Sequence, residues 1–136
     1  MFFVPKKDGK LRLVADYRKV NEHTKKNRYN LPLTSEIVEK MQKAKYFTEI
    51  DLRGAYHNLR MKEGHEYKAA LLTNCGLFEP KILLEGLANA PAMFQGMMDE
   101  ILREQITEGV AVAYIDNVWV YHQENITGFL EISSLF

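Results

Sequence analysis

Two aspartates stand at positions where a folded chain could bring them together around divalent cations. Asp51 follows the run Tyr46-Phe47-Thr48-Glu49-Ile50, and Asp116 follows Val112-Ala113-Tyr114-Ile115. Carboxylates at the ends of neighbouring strands supply the hard oxygen ligands that Mg²⁺ prefers, and they leave room for water and phosphate oxygens. Two such ions about 4 Å apart activate an attacking hydroxyl and stabilise the leaving group in phosphoryl transfer.

Each aspartate on its own also has a purely structural interpretation. Asp116-Asn117 is a favoured pair in a hairpin turn, and Asp51 could cap the turn at Arg53-Gly54. The spacing of the two residues therefore leaves metal binding and turn formation both open.

Three short strands are the elements that would position these aspartates. Residues 46–52 combine β-branched and aromatic side chains in alternation, which predicts a strand ending at Asp51. Residues 110–115 and 118–121 predict two further strands joined by Asp116-Asn117.

Helical periodicity is clearest over residues 89–105. Asn89 is placed to be the N-cap and Pro91 lies in the first turn, where its missing N–H costs nothing. The period puts five apolar residues on the inner face and four polar residues outside. The inner set is Phe94, Met97, Met98, Ile101 and Leu102, and the outer set is Gln95, Asp99, Glu100 and Arg103. A shorter helix is predicted to run to about Lys43, capped by Thr34 or Ser35.

The N-terminal part of the chain predicts a β-hairpin. Asp8-Gly9 is a strong turn signal between residues 2–7 and 10–17. Residues 22–33 are polar and turn-rich, and Pro32 excludes a continuous helix there. Residues 56–61 are compatible with a helix or an extended segment. The whole pattern predicts one α+β unit.

The charge of the 136-residue chain is zero overall but unevenly distributed. Eighteen Lys and Arg balance eighteen Asp and Glu. Residues 1–28 carry nine basic and three acidic residues, a net +6, so the remainder carries −6. A basic block favours a polyanionic partner, although a solvated surface explains a charge run equally simply.

No apolar run approaches the roughly 20 residues that span a bilayer, and no signal peptide is evident. The lone Cys75 excludes an internal disulfide and fits a reducing compartment. We therefore expect an intracellular protein of the cytoplasm or nucleus that is not secreted and has no membrane partner.

Four segments, which are residues 6–21, 44–57, 86–95 and 114–117, extend in order over about residues 2–123. In order and spacing they resemble the motifs of retroelement reverse transcriptases, and of Ty3/gypsy-type LTR retrotransposon Pol polyproteins in particular. The first, residues 6–21, resembles the fingers hairpin, and residues 44–57 resemble the first palm motif. Residues 86–95 resemble the following palm-helix motif, and Tyr114-Ile115-Asp116-Asn117 occupies the place of the aromatic-x-Asp-Asp motif.

This resemblance implies a right-hand polymerase fold in which an antiparallel palm sheet packs against helices. The reverse transcriptase domain would be partial and span residues 1–124. Fingers would comprise about residues 1–27 and 59–89, and palm about residues 28–58 and 90–124. Residues 125–136 match nothing in the family and are expected to be a divergent tail.

The resemblance also implies the chemistry of RNA-directed DNA polymerisation. A primer 3′-hydroxyl attacks the α-phosphate of a dNTP on an RNA or DNA template, with two Mg²⁺ ions, or Mn²⁺ in their place. Asp51, the Leu52 carbonyl and Asp116 would be the metal ligands.

The resemblance assigns the remaining site residues to the nucleotide and the primer. Lys6 or Lys7 and Arg12 would clamp the triphosphate. Tyr56 would exclude a 2′-hydroxyl, Gly86 would allow close approach of nucleotide or template, and Gln95 would lie near the nucleotide. Tyr56 as a core aromatic and Gln95 as an exposed helix residue are the structural alternatives. Tyr114 and Ile115 would lie beside the primer end.

The chain departs from the family pattern at three positions. Asn117 replaces the second catalytic aspartate and lacks its charge, which predicts strongly reduced or absent polymerase activity. Glu85 brings a carboxylate to the nucleotide side, where it would repel a triphosphate unless a Lys or Arg neutralises it. Leu84 replaces a residue that is often proline or phenylalanine in the family.

The family pattern also extends beyond this chain on both sides. Strands before residue 1, and the thumb, connection and RNase H domains after the palm, are expected in a full-length element. The departures together fit a truncated copy. A catalytically dead remnant that binds nucleic acid through the basic hairpin, and an inert product that barely folds, are the alternatives.

Overall fold

The structure, a computed structural model, describes residues 2–7 and 9–122. The predicted turn residue Asp8 and the predicted tail, residues 125–136, lie outside the described residues. Contacts divide the chain into two units. The first comprises Met1–Asn27 and Gly54–Pro91, and the second comprises Arg28–Arg53 and Ala92–Phe136.

The first unit begins with the predicted hairpin. Strands β1 (Phe2–Pro5) and β2 (Leu11–Val14) are antiparallel, with Phe2 opposite Val14. The backbone N–H of Lys6 donates to the Lys10 carbonyl at 2.7 Å, and Gly9 adopts a left-handed φ of +79° that favours glycine. The hairpin is confirmed, because its two strands flank a turn at the expected place.

The second strand ends at Val14 and is therefore shorter than predicted, and a helix begins at Arg18. Helix α1 (Arg18–His23) occupies residues for which the sequence analysis predicted no helix. Tyr17, only 4% exposed, precedes it and donates its hydroxyl to the Ala69 carbonyl at 3.0 Å. A partner 52 residues away in sequence therefore fixes the residue just before the helix, which local pattern could not reveal.

The rest of the first unit is built from short pieces. A 3₁₀ turn, Ala55–Asn58, resolves the segment left open as helical or extended, and Arg60 then forms an isolated bridge with Ile82. A second 3₁₀ turn, Glu66–Ala69, leads into the antiparallel strands β4 (Leu71–Thr73) and β5 (Gly76–Phe78).

The second unit contains the predicted palm-type sheet. Strands β3 (Tyr46–Asp51), β6 (Ala111–Tyr114) and β7 (Asn117–His122) form an antiparallel sheet in the order β3-β7-β6. All three strands were predicted within one or two residues. The middle strand pairs on both sides, and its residues Val118 and Val120 are buried.

Three further helices follow α1 in the described residues: α2 (Thr34–Met41), α3 (Ala90–Ile101) and α4 (Arg103–Thr107). The predicted single helix over residues 89–105 is divided at Leu102, although its N–H still donates to the Met98 carbonyl at 2.9 Å. The prediction that Thr34 or Ser35 caps α2 was wrong. The helix begins at Thr34 after Leu33, whose backbone N–H donates to Glu36 at 3.2 Å.

The inner face of α3 also differs from the predicted one. Ile101 is 41% exposed, whereas Gln95 is fully buried beside Phe94, Met98 and Leu102. A separate apolar cluster in the second unit joins Ile37 of α2 to the sheet; its buried members are Ile37, Val112 and Tyr121. Within residues 2–7 and 9–122, no helix combines the length and hydropathy needed to cross a bilayer.

Candidate active site

The register of the β3–β7 pair determines where the candidate metal ligands lie. Asp51, the last residue of β3, is directly opposite Asn117, the first residue of β7. The N–H of Leu52 continues the pairing by donating to the Asp116 carbonyl at 2.9 Å. The two aspartates that are distant in sequence are therefore at the same end of one sheet, and both side chains are exposed to incoming ligands.

The hairpin that carries Asp116 turns one residue earlier than predicted. Tyr114 pairs with Asn117, so the two-residue loop is Ile115-Asp116 and not Asp116-Asn117. Ile115 has a φ of +54°, a left-handed conformation that is uncommon for a β-branched residue. The sequence analysis missed this because Asp-Asn is the more usual turn pair.

The side-chain amide of Gln95 forms hydrogen bonds with the backbone of this loop and of the strand before it. Its Oε1 accepts the Ile115 N–H at 2.8 Å, and its Nε2 donates to the Ala113 carbonyl at 3.0 Å. The Nε2 also donates to the Asp99 carboxylate at 2.8 Å, so every polar atom of the buried side chain is engaged. Placing Gln95 on the exposed face of the helix was wrong. Its predicted contact with the nucleotide stays a prediction.

The donor chemistry of this sheet end fits a hard divalent cation. The sheet end carries two exposed carboxylates, Asp51 and Asp116, and the side-chain amide oxygen of Asn117 is a third oxygen donor there. No cluster of three His, Cys, Asp or Glu side chains suited to a metal occurs in the described part of the chain. Asn117, opposite Asp51, contributes a neutral amide and no third negative charge to this sheet end.

The first unit carries the predicted phosphate ligands. Lys6 and Lys7 follow β1, and Arg12 lies on β2 opposite Val4; all three side chains are exposed. The Nε of Arg12 lies 3.4 Å from Oε2 of Glu85. The carboxylate that departs from the family pattern is thus neutralised by the arginine predicted to bind the triphosphate.

Gly86 occupies a conformation that needs glycine. Its φ is +94°, and a Cβ at this position would lie 3.6 Å from the Tyr17 ring. Asn21 fixes the same loop from both sides, because its Nδ2 donates to the Gly86 carbonyl and its Oδ1 accepts the Ala88 N–H, each at 2.8 Å. Tyr56 lies in the first 3₁₀ turn and is half-buried.

A family model described as "Reverse transcriptase (RNA-dependent DNA polymerase)" matches residues 4–132. The chain belongs to the reverse transcriptase family.

Curated relatives indicate a branch of reverse transcriptases that this chain resembles. The transposon Tf2-7 and Tf2-3 polyproteins of Schizosaccharomyces pombe are each 40% identical to this chain over 121 residues. That match covers 89% of the chain but only 9% of each polyprotein. The resemblance to Ty3/gypsy-type retrotransposon reverse transcriptases is confirmed, and the chain spans about a tenth of the relatives' length.

Solved structures confirm the fold. A foamy viral protease-reverse transcriptase in complex with ds DNA matches with a TM-score of 0.83 and 24% identity, over 98% of this chain and 23% of that one. A foamy viral protease-reverse transcriptase in complex with an RNA/DNA hybrid matches with a TM-score of 0.80 and 23% identity, over 96% of this chain and 17% of that one. The α+β fingers–palm fragment of a polymerase is therefore the fold of this reverse transcriptase domain.

The structure groups the predicted site residues into two sets. The second unit brings together the residues around the β6–β7 hairpin: Asp51, Leu52, Gln95, Asp116 and Asn117. The first unit holds the residues expected to contact nucleotide and template: Lys6, Lys7, Arg12, Tyr56 and Gly86. The reverse transcriptase roles of all ten remain predictions, as do the residue limits assigned to fingers and palm.

Two residues that shape these sets were missed by sequence reasoning. Asn21 is the last residue of the segment that resembles the fingers hairpin and was assigned no role, yet its side chain ties helix α1 to the Gly86 loop. Asp99 was placed on the outer face of α3, yet it accepts hydrogen bonds from Gln95 and from the Tyr29 hydroxyl, at 2.8 and 2.7 Å. The only available signal was residue type, because amides and carboxylates on a buried helix face need partners.

Proposed function

We propose that this reverse transcriptase domain is the fingers–palm part of an RNA-directed DNA polymerase, weakened in this copy by Asn117. The observation that carries the proposal is the pairing of Asp51 with Asn117 across β3 and β7, with Asp116 in the adjoining turn. This arrangement places two carboxylates on a rigid sheet end, where triphosphate oxygens could complete a metal coordination shell.

The roles of the sheet-end residues follow from their chemistry. Asp51 and Asp116, with the Leu52 carbonyl, would hold Mg²⁺ or Mn²⁺. Divalent ions held by these residues would supply Lewis-acid chemistry, which would lower the charge barrier to attack by the primer 3′-hydroxyl and stabilise the leaving pyrophosphate. Asn117 offers one neutral oxygen in place of a carboxylate, which weakens the hold on a second ion.

The first unit would supply nucleotide binding. Lys6 or Lys7 and Arg12 present cations to the triphosphate, and Tyr56 would lie against the sugar and exclude a 2′-hydroxyl. Gly86 would let backbone approach the nucleotide or template, and Gln95 would act near the nucleotide pocket. Fingers would comprise about residues 1–27 and 59–89, and palm about residues 28–58 and 90–124.

The partners would be an RNA or DNA template with its primer, a dNTP, and the thumb, connection and RNase H domains of a full-length element. The solved relatives in complex with ds DNA and with an RNA/DNA hybrid support this proposal. Such a reaction would take place in the cytoplasm or nucleus.

Primer extension tests the proposal directly. The chain is assayed with Mg²⁺ and with Mn²⁺ as wild type, Asn117→Asp and Asp51→Ala. We expect Asn117→Asp to exceed the wild type by about tenfold or more, because a charged ligand is restored. Asp51→Ala in the Asn117→Asp background should remove the gain. Wild-type activity equal to that of Asn117→Asp would contradict the impairment.

A nucleic-acid-binding remnant is the second candidate, favoured by the exposure of Lys6, Lys7 and Arg12 on one hairpin. If no variant extends a primer, binding to primer–template is measured against salt concentration. Salt-dependent binding that weakens when the three basic residues are replaced would support the remnant over the polymerase.

A further inference from the structure

A cavity of about 350 Å³ lies within the first unit, beside the predicted phosphate ligands. Its polar lining is provided by Lys6, Arg12, His57 and Glu85, and its apolar lining includes Ile82 and Leu84. Two basic side chains that face one cavity suit an anion larger than chloride, and phosphate groups match the fork of a guanidinium.

One of the two charges is already engaged by the protein itself. The Arg12 Nε lies 3.4 Å from Glu85 Oε2, and the two side chains remain 52% and 46% exposed. An ion pair in this environment is weak and separates readily, so Arg12 stays available to a ligand at a modest cost. While the Nε of Arg12 faces Glu85, the edge of the guanidinium that includes Nε is not free for a bidentate contact to a phosphate.

The backbone keeps Glu85 near this arginine. The next residue, Gly86, has its carbonyl bound by Asn21, and Asn21 also accepts the N–H of Ala88. These two bonds fix the loop that follows Glu85, so the backbone that carries its carboxylate stays beside the cavity. A ligand anion that displaces Glu85 from Arg12 would therefore lose the free energy of that ion pair and would also be repelled by the nearby carboxylate.

We propose that Glu85 is an internal competitor for the anion site formed by Lys6 and Arg12, and that it lowers the affinity of the cavity for polyphosphates. This inference rests on the proposed function, since it takes the triphosphate of a nucleotide as the ligand class. It adds a second cause of weak polymerisation, in nucleotide binding, that is separate from the effect of Asn117 on metal binding.

The expected effect is moderate because both groups are exposed. Removing the competing carboxylate should tighten polyphosphate binding by about three- to tenfold at low salt. Screening should reduce the gain as ionic strength rises past roughly 0.15 M, where the Debye length is about 8 Å.

The test uses inorganic tripolyphosphate, without divalent cations, titrated into the chain by calorimetry. Glu85→Gln is compared with the wild type and with Glu79→Gln, which removes the charge of another exposed carboxylate of the same unit. We expect a three- to tenfold gain for Glu85→Gln and less than about twofold for Glu79→Gln. In an Arg12→Gln background the gain from Glu85→Gln should be smaller than in the wild type, because only the direct repulsion between Glu85 and the ligand remains to be removed.

Each alternative outcome has a distinct meaning. If Glu85→Gln and Glu79→Gln increase the affinity for tripolyphosphate equally, the effect comes from net charge alone and the proposal is overturned. If Glu85→Gln gives no gain while Arg12→Gln still weakens binding, the competitor is refuted but the phosphate role of Arg12 survives. If Arg12→Gln binds like the wild type, or if no form binds tripolyphosphate, both the competitor and the proposed triphosphate clamp are refuted. Circular dichroism confirms that each variant is folded.

Discussion

The side chain of Gln95 accepts a hydrogen bond from the backbone N–H of Ile115 at 2.8 Å, and so links helix α3 to the turn that carries Asp116. Ile115 has a left-handed φ, which is unfavourable for its β-branched side chain. A fully buried amide is a rigid support for such a strained loop, because no water can replace its bonds.

The hydrogen bonds of Gln95 continue to other side chains of the second unit. Gln95 also donates to Asp99, and Asp99 accepts the hydroxyl of Tyr29 at 2.7 Å. The ring of Tyr29 in turn lies against Gly96, where an added Cβ would be 3.4 Å from Cε2. The geometry of the Asp116 turn therefore depends on a series of hydrogen-bonded side chains, Gln95, Asp99 and Tyr29, that extends away from the sheet end.

The first prediction concerns the buried amide. Gln95→Met retains the length of the side chain but leaves the Ile115 N–H and the Ala113 carbonyl without their partner. We expect a loss of about 2–3 kcal/mol in the free energy of unfolding, since buried polar groups without partners are costly. Urea unfolding followed by circular dichroism measures it.

The matched control is Gln42→Met, at an exposed position just after helix α2. That change should alter the unfolding free energy by less than about 0.5 kcal/mol. A loss of similar size in both variants would show that the Gln95 amide does not stabilise the turn.

The second prediction concerns the titration of Tyr29. Its hydrogen bond to Asp99 is the main cause of a raised pKa, with burial and the nearby charges of Asp99 and Glu100 adding to it. The difference in absorbance at the tyrosinate band between wild type and Tyr29→Phe should therefore show a midpoint above the ordinary value near 10. Asp99→Asn should shift that midpoint down.

The sign of the linked stability follows from the raised pKa. The protonated hydroxyl is favoured in the folded state, so its stabilisation is complete below the unfolded pKa and is lost as pH rises through the folded one. A difference curve centred at or below the ordinary tyrosine value would contradict the bond to Asp99.

Local pattern was sufficient for the hairpin β1–β2 and for all three strands of the sheet. Alternation and turn residues determine such elements through contacts between sequence neighbours, and Tyr46–Asp51 illustrates this because its bounds were predicted within a residue. The pairing of Asp51 with Asn117 was anticipated only as proximity of two strand ends, because register is set by tertiary contacts.

Features that depend on distant partners were missed. Helix α1 follows a tyrosine bonded 52 residues away, and the exposed face of α3 was mistaken because the partners of Gln95 lie on β6 and in the turn after it. Glu85 was expected to need a cation, but sequence alone did not identify Arg12 as that cation. Sequence periodicity does not predict which side chains pair when they are distant in sequence, and these features depend on such pairs.

The third prediction concerns the loop around Gly86. Asn21→Ala removes both side-chain bonds to that loop, and we expect a loss of about 1–3 kcal/mol in the free energy of unfolding. Asn21→Asp retains the acceptor for the Ala88 N–H but sets an oxygen against the Gly86 carbonyl, so it should not restore stability.

Asn58→Ala, at an exposed position of the same unit, is the control and should cost less than about 0.5 kcal/mol. Hydrogen exchange at Ala88 gives a local measurement, because its N–H loses its acceptor only in Asn21→Ala. Slow exchange retained in that variant would refute the bridging role of Asn21.

The fourth prediction separates metal binding from catalysis. Asn117→Asp sets two carboxylates directly opposite each other at the β3–β7 end, next to Asp116. Without divalent cations the variant should lose up to about 1 kcal/mol of stability, because like charges in a cross-strand pair repel. Mg²⁺ at ten times its dissociation constant should then return about 1.4 kcal/mol.

Thermal unfolding with and without millimolar Mg²⁺ measures this reversal. The wild type should gain less from Mg²⁺ than Asn117→Asp does, because its amide contributes no charge to the site. Adding Asp51→Asn to the variant removes the opposing carboxylate, so both the repulsion and the stabilisation by Mg²⁺ should decrease together. Equal stabilisation of all three forms would mean that Mg²⁺ binds elsewhere on the chain, and the assignment of Asp51 and Asp116 as ligands would fail.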